Sequence, residues 1–261
     1  MPTQQGPDPS FVLMNLLIRK LSNYIMLPEA DERTLEGLSQ TPTHIAAHTD
    51  LIREDAPPDG VYLILSGWAC RYKTLPDGER QIMAYFIPGD LCDQRIFVLK
   101  RMDHSISTLT PAKVAVIPAE TMIDLTECHP RIARALWWST LVDEAITREW
   151  VVNVGQRKAF ERVAHLICEM FVRVRAVGLA EDLSFEFPVT QTDLADTVGL
   201  TLVHTNRMLQ ELRAEGLIAW KGKRLTILDF ERLADLSMFN PNYLHLEHEG
   251  AGRCDRSASS P

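Results

Sequence analysis

The sequence predicts an α+β chain with an N-terminal antiparallel β-roll, one long helix and a C-terminal winged helix-turn-helix. Three observations carry that prediction. Between about His44 and Pro118, strand-like runs end on Gly60, Gly67, Gly78 and Gly89, one glycine about every ten residues. After His129-Pro130 no further proline or glycine interrupts the chain until Gly155. From Thr190 to Ile218, TQTDLADTVGLTLVHTNRMLQELRAEGLI reads as two short helices across a tight turn, followed by a strand.

The elements follow in order. Residues 1–10 are rich in Pro, Gln and Gly and are expected to be disordered. The roll with its flanking helices is assigned to residues 11–129. Phe11 to Tyr24 suits a helix, and Pro28 to Leu38, acidic first and apolar later, suits a second. VYLILSGWACRYK, RQIMAYFIPGDLC and AKVAVIPA alternate or run apolar as strands do, and Pro76-Asp77-Gly78 is a turn.

Residues 130–155 form one helix of about seven turns. Its Trp138, Leu141, Val142, Ala145, Glu149 and Val152 recur at coiled-coil-like spacing and are the expected dimer interface. Trp137 and Trp150 widen the apolar face, so a buried core helix is the other reading. Residues 156–240 form the winged unit. Within it Phe160, Val163, Ala164, Ile167, Cys168, Phe171 and Val174 line one face of a helix, and Phe185 to Val189 is a short strand. LIAWKGKRLTIL gives two strands joined at Lys221-Gly222-Lys223, and Phe230 to Leu236 closes the unit. Residues 241–261 lack periodicity and are expected to be a disordered tail.

The helical pair carries the functional reading. Thr190 with Asp193 is an N-terminal capping pattern, and Thr201 is a second cap. Gly199 supplies the backbone freedom of a sharp helix-to-helix turn. Thr205, Met208, Leu209 and Leu212 share an inward face, leaving Leu202, Val203, Asn206, Arg207 and Gln210 outward. Arg207 has the fork to grip guanine O6 and N7, and Asn206 can read adenine or bind phosphate. Leu202 and Val203 would lie near thymine methyls, while His204 and Thr201 sit where a helix start meets phosphate. Lys221, Lys223 and Arg224 read as phosphate contacts from a wing. The competing readings are a helical hairpin inside a larger core and an ordinary solvated surface.

Composition allows this without demanding it. The 261 residues are 46% hydrophobic and carry a net charge of −8. Residues 1–155 hold 14 basic and 20 acidic side chains, whereas residues 187–225 hold five basic and four acidic ones. A repelling body with a slightly positive reader binds DNA with modest non-specific affinity. No apolar run approaches the roughly 20 residues that span a bilayer, so no membrane partner is expected. No secretory signal is read at the N-terminus, and five scattered cysteines fit a reducing cytoplasm.

Enzyme chemistry finds no foothold in the pattern. There is no HxH pair on the strands, and His48 and His104 stand alone in flanking loops. No GxSxG, P-loop or CxxC occurs. His165 and Cys168, three apart on a helix, and the trio His245, His248 and Cys254 lack a plausible ligand set, so no metal is expected. Cys92 reads as a buried structural cysteine more readily than as a redox thiol.

LILSGWACRY, the PDGERQIMAYFIPGDLC block and the reader TDLADTVGLTLVHTNRMLQEL together resemble the Crp/Fnr family of bacterial transcription regulators. Asp193, Leu194, Gly199, Arg207 and Leu212 match the family pattern, and the resemblance covers about residues 14 to 235. It implies a cyclic-nucleotide-binding-like roll and a homodimer on a two-fold double-stranded DNA operator. It also implies contact with RNA polymerase. The candidate effector pocket is Asp93, Gln94, Arg95, His104 and Ser105.

Departures from the family narrow the effector. Asp93 stands where a small glycine is expected, Gln94 replaces the ribose-binding glutamate, and His104-Ser105 replaces Arg-Ser. An added carboxylate and a lost arginine disfavour a cyclic phosphate, so the effector is not expected to be cyclic AMP. The first cysteine is Cys70, which leaves no N-terminal iron–sulfur cluster, and His104 is the one thin haem candidate. No cofactor is therefore certain. Val203 stands where the best-known readers carry a cytosine-reading glutamate. The alternative function is a cyclic-nucleotide-regulated adaptor whose winged domain binds protein.

Overall fold

The computed structural model describes residues 9–39, 41–94 and 98–246. Helices α1 (Pro9–Ser22) and α2 (Glu29–Glu36) lead into a roll that has eight strands among the described residues. These are β1 (Thr43–Ile45), β2 (Asp50–Ile52), β3 (Val61–Ser66), β4 (Ala69–Thr74), β5 (Arg80–Phe86), β6 (Leu91–Cys92), β7 (Ser105–Thr108) and β8 (Ala112–Ile117). They form two antiparallel sheets, ordered β1-β8-β3-β6 and β2-β7-β4-β5. Val61, Ile64, Ile82, Ile106 and Val114 fill the space between them. At Gly89 the backbone is left-handed and α1 presses close, so a Cβ there would meet the Leu16 carbonyl at 2.8 Å.

Helix α3 (Ala119–Cys128) precedes α4 (Pro130–Gln156), whose 27 residues span about 40 Å. The winged unit follows as α5 (Ala159–Ala176), β9 (Ala180–Glu181), β10 (Ser184–Glu186), α6 (Gln191–Val198), α7 (Leu202–Ala214), β11 (Ile218–Lys221), β12 (Arg224–Ile227) and α8 (Phe230–Ser237). Its sheet is ordered β11-β12-β10-β9. Among the described residues no helix is long and apolar enough to cross a membrane.

Roll and winged unit share a dense seam. Trp68 and Tyr85 from the roll, Trp150 from α4 and Phe187 from the winged unit meet edge to face, with ring centroids 5.7 to 6.4 Å apart. Arg173 of α5 donates to the Tyr85 carbonyl at 2.8 Å and to Asp90 at 3.3 Å, while Lys20 of α1 holds Asp90 from the other side at 2.7 Å. These charges are buried in pairs, which is the arrangement burial demands.

Three expectations need correction. The side of α4 that this chain leaves uncovered is not the face expected from the coiled-coil-like spacing. Val142 and Ala145 are buried in this chain's own body, Trp138 stacks on Tyr24, and Glu149 pairs with Arg157 at 2.6 Å. Only Leu141 (60% exposed) and Val152 of the expected six face out, joined by Trp137 (64%) and Val151 (69%). Periodicity finds an apolar face, but this helix has two, and the more regular one is taken by α1, the roll and α5.

The tail is the second correction. Residues Pro241–Leu244 form a 3-10 turn, with the Tyr243 hydroxyl donating to Glu169 at 2.9 Å and Leu244 fully buried. Tyr243 also stacks on His165, with ring centroids 6.1 Å apart. One tyrosine and one leucine suffice to dock a segment too short to show a period. Residues 247–261, including His248 and Cys254, lie outside the described residues, as do residues 1–8.

The third concerns boundaries. Helix α1 starts at Pro9, inside the stretch expected to be disordered, and the strand expected over Phe185 to Val189 is Ser184–Glu186. Phe187 still donates its amide to the Lys223 carbonyl at 2.7 Å before Pro188 ends the pairing.

Candidate nucleic-acid interface

Helix α6 is built as its sequence predicts. Thr190 accepts the Asp193 amide at 3.0 Å, and the Asp193 carboxylate accepts from the Thr190 amide at 3.3 Å. Gly199 ends the helix in the left-handed region at φ 63°, and Thr201 caps α7 by accepting the His204 amide at 3.2 Å. Thr205, Met208, Leu209 and Leu212 are buried against the winged unit.

What remains outside is a narrow stripe. Val203, Arg207 and Gln210, at i, i+4 and i+7, run along the side of α7 opposite the buried face. Val203 is 81% exposed. Leu202 and Thr201 are exposed on one flank, and His204 and Asn206 are half-buried at the edges. A rigid helix carrying a guanidinium, an amide and a bare valine on its outer edge has the shape and chemistry to enter a major groove.

The wing is a tight hairpin with Lys221 opposite Arg224 and the turn at Gly222 and Lys223. Arg224 is drawn back to Glu181 at 2.5 Å. Lys221 and Lys223 are exposed and make no ion pair among the described residues. Lys223 shares a cleft with Thr190, Gln191 and Arg213, which puts the α6 N-terminus and two cations on one concave surface.

The expected effector pocket is a cleft of about 740 Å³ between the roll and α4. Its Asp93 carboxylate accepts from Arg71 and from His104 Nε2 at 2.6 Å, and His104 Nδ1 faces Asp103 at 2.7 Å. Burial works against charge on both partners, yet their mutual hydrogen bond and attraction outweigh it. His104 is held above the usual histidine range and Asp93 below the usual carboxylate range. Gln94 donates to Ser139 of α4 at 3.0 Å. Ser105 does not join the cleft: it lies in β7, and its hydroxyl accepts the Glu54 amide at 2.9 Å. Arg95 lies outside the described residues. Arg71, Thr140 and Asp143 line the cleft unannounced by the sequence, although the alternation of β4 does place Arg71 opposite Tyr72.

Comparison with known families decides what this layout is. A cyclic nucleotide-binding domain model matches residues 42–129, and a Crp-like helix-turn-helix domain model matches residues 161–236. The chain belongs to the Crp/Fnr family. Its similarity to the transcriptional activator protein FnrL of Cereibacter sphaeroides is 27% identity, covering 77% of this chain and 82% of that one. Against the nitrogen fixation regulation protein FixK of Bradyrhizobium diazoefficiens it is 27%, covering 81% and 87%. The solved FixK2 structure from Bradyrhizobium japonicum superposes with a TM-score of 0.68 at 26% identity, covering 75% of this chain and 96% of that one. This Crp/Fnr protein is a DNA-binding transcription regulator.

Family membership sharpens the meaning of the cleft. A cyclic nucleotide brings a phosphate that needs an uncommitted cation. Here each described cation lining the cleft faces a carboxylate: Arg71 and His104 face Asp93, and Arg148 faces Glu144 at 3.7 Å. Asp93 also takes the left-handed backbone at φ 52°, a conformation that aspartate tolerates and glycine adopts freely. The two buried cations of the described lining, Arg71 and His104, are thus committed to the protein's own carboxylate. Cys92 offers no redox handle either, since it is fully buried and burial pushes its thiol well above the usual range.

Proposed function

We propose that this regulator works as a homodimer on a two-fold operator, with α7 in the major groove and the β11–β12 wing on flanking phosphates. The observation that carries the reading is the Val203–Arg207–Gln210 stripe, held rigidly by two capped helices and free of cover. Arg207 is the guanine contact, and Asn206 and Leu202 border it. Thr201, His204, Lys221, Lys223 and Arg224 serve the backbone.

The partner copy packs on the outward face of α4, where Trp137, Leu141, Val151 and Val152 make an apolar surface larger than a lone helix tolerates. RNA polymerase is the further protein partner that family membership implies, and the cytoplasm is the place of action. The roll cleft around Asp93, Gln94 and His104 biases the reader in response to a signal other than cyclic AMP.

A gel shift with the DNA upstream of the protein's own gene tests the reading. Retardation that weakens steeply with added salt is the expected result. Nothing retained at low salt would favour the adaptor, in which the winged unit binds protein.

A further inference from the structure

We propose that Val203 makes operator recognition depend on a pyrimidine C5 methyl group, so that one step of each half-site is read by apolar contact. The inference rests on α7 being the major-groove helix and names the chemical group that its leading residue recognises.

Val203 is the most exposed residue of its type in the reader, at 81%, and it sits diametrically opposite the buried Thr205, Met208, Leu209 and Leu212. The Thr201 cap lies two residues before it, so its backbone belongs to an ordered first turn. A valine in a helix keeps essentially one side-chain rotamer, and its methyls are presented with little entropy left to lose. An exposed branched apolar side chain at the tip of a polar stripe does nothing for solubility.

Position gives it a definite reach. Val203 precedes Arg207 by four residues, a rise of about 6 Å along the helix. Base pairs stack about 3.4 Å apart, so a guanine held by Arg207 places Val203 within about two steps of it. Valine has neither donor nor acceptor. Pressed against a cytosine amino group or an adenine edge, it would strip water from a polar group and return nothing. The C5 methyl of thymine is the apolar group that the major groove offers. Leu202, exposed on the flank, extends the same apolar edge. The methyl of 5-methylcytosine occupies the equivalent place, so cytosine methylation at this step would partly imitate thymine.

The experiment uses the full-length protein and an operator located by footprinting in its upstream region. Each thymine of the half-site is replaced in turn by deoxyuridine, which removes only the methyl. Wild type and Val203→Ala are compared by quantitative gel shift. For wild type, one deoxyuridine within two steps of the Arg207 guanine should weaken binding about fourfold per half-site, the factor expected for one buried methyl. The same replacement should leave Val203→Ala nearly unchanged, and replacing that thymine by 5-methylcytosine should cost wild type less than replacing it by cytosine.

Wild-type binding that is indifferent to every deoxyuridine overturns methyl reading while the regulator assignment stands. Sensitivity that persists in Val203→Ala moves the methyl to another residue and overturns the role given to Val203. Absence of any salt-sensitive operator would bring down the regulator reading and this inference with it. Val203 makes no buried contact, so its replacement leaves the fold out of the comparison.

Discussion

Arg80 in the roll and Asp196 in the reader lie 116 positions apart and meet at 2.7 Å. The same guanidinium holds Asp193, which completes the Thr190 capping box of α6. Next to it the Tyr85 hydroxyl and Thr197 Oγ1 pair at 2.5 Å, and Gln81 donates to the Thr197 carbonyl at 3.1 Å. The β4–β5 hairpin therefore grips α6, the helix packed against α7.

Arg80→Ala should release that grip. Asp193 would keep its cap but lose its counter-ion while buried, a cost of about 2–3 kcal/mol. Hydrogen exchange should speed up in α6 and at the α4–α5 junction, with Arg80→Lys intermediate. Unchanged protection in α6 would show that the aromatic seam alone holds the two units.

Arg207→Ala should lower affinity for the operator roughly tenfold or more, with little change in binding to random DNA. Footprints on the operator should fade while retardation at low salt survives. An unaltered footprint would remove Arg207 from base reading.

The Asp93–His104 pair predicts a pH signature. His104 binds its proton more tightly in the folded state, so its contribution is complete below the unfolded value of about 6.5 and is lost as pH rises through the raised folded value. Asp93 is lowered, so its contribution is present above its ordinary value of 3.8 and is lost as pH falls through the folded one. Thermal melts should show the roll best served between about pH 4 and 6.5. His104→Gln should flatten the decline above that window, and parallel curves for the two proteins would count against the pair.

On α4, two neighbouring substitutions should part company. Leu141→Asp places a charge on the outward face and should yield monomers in analytical ultracentrifugation with the melting temperature of the subunit little changed. Val142→Ala opens space inside the protomer and should cost roughly 2 kcal/mol without altering assembly. Loss of assembly in Val142→Ala would instead return Val142 to the interface expected from heptad spacing.

The C-terminal turn should matter to stability. Leu244→Ala removes a fully buried side chain and should cost roughly 2–4 kcal/mol by denaturant titration. Tyr243→Phe should cost about 1–3 kcal/mol, since it leaves the buried Glu169 with only Trp150 and Arg173 as partners. No change in either variant would return this segment to the status of a loose tail.

Much of this protein is local, and local features are legible. The Thr190–Asp193 cap, the Gly199 turn, the inward run Thr205 to Leu212, the Lys221-Gly222-Lys223 hairpin and the main roll strands follow from short-range backbone chemistry and periodicity. Strands β1, β2 and β7 have three or four residues each and show no period, because their pairing partners select them.

The reader was therefore determined by the sequence itself: capping, turn and helix period act within a few residues and leave Arg207 and Val203 facing out. Only the tertiary structure decided which side of α4 is free, because two apolar faces compete and the choice depends on what α1, the roll and α5 cover. It also decided the state of the cleft. Arg71, Asp93 and His104 come from separate strands and loops, and only their convergence turns a missing phosphate-gripping arginine into a cation already occupied by the protein's own carboxylate.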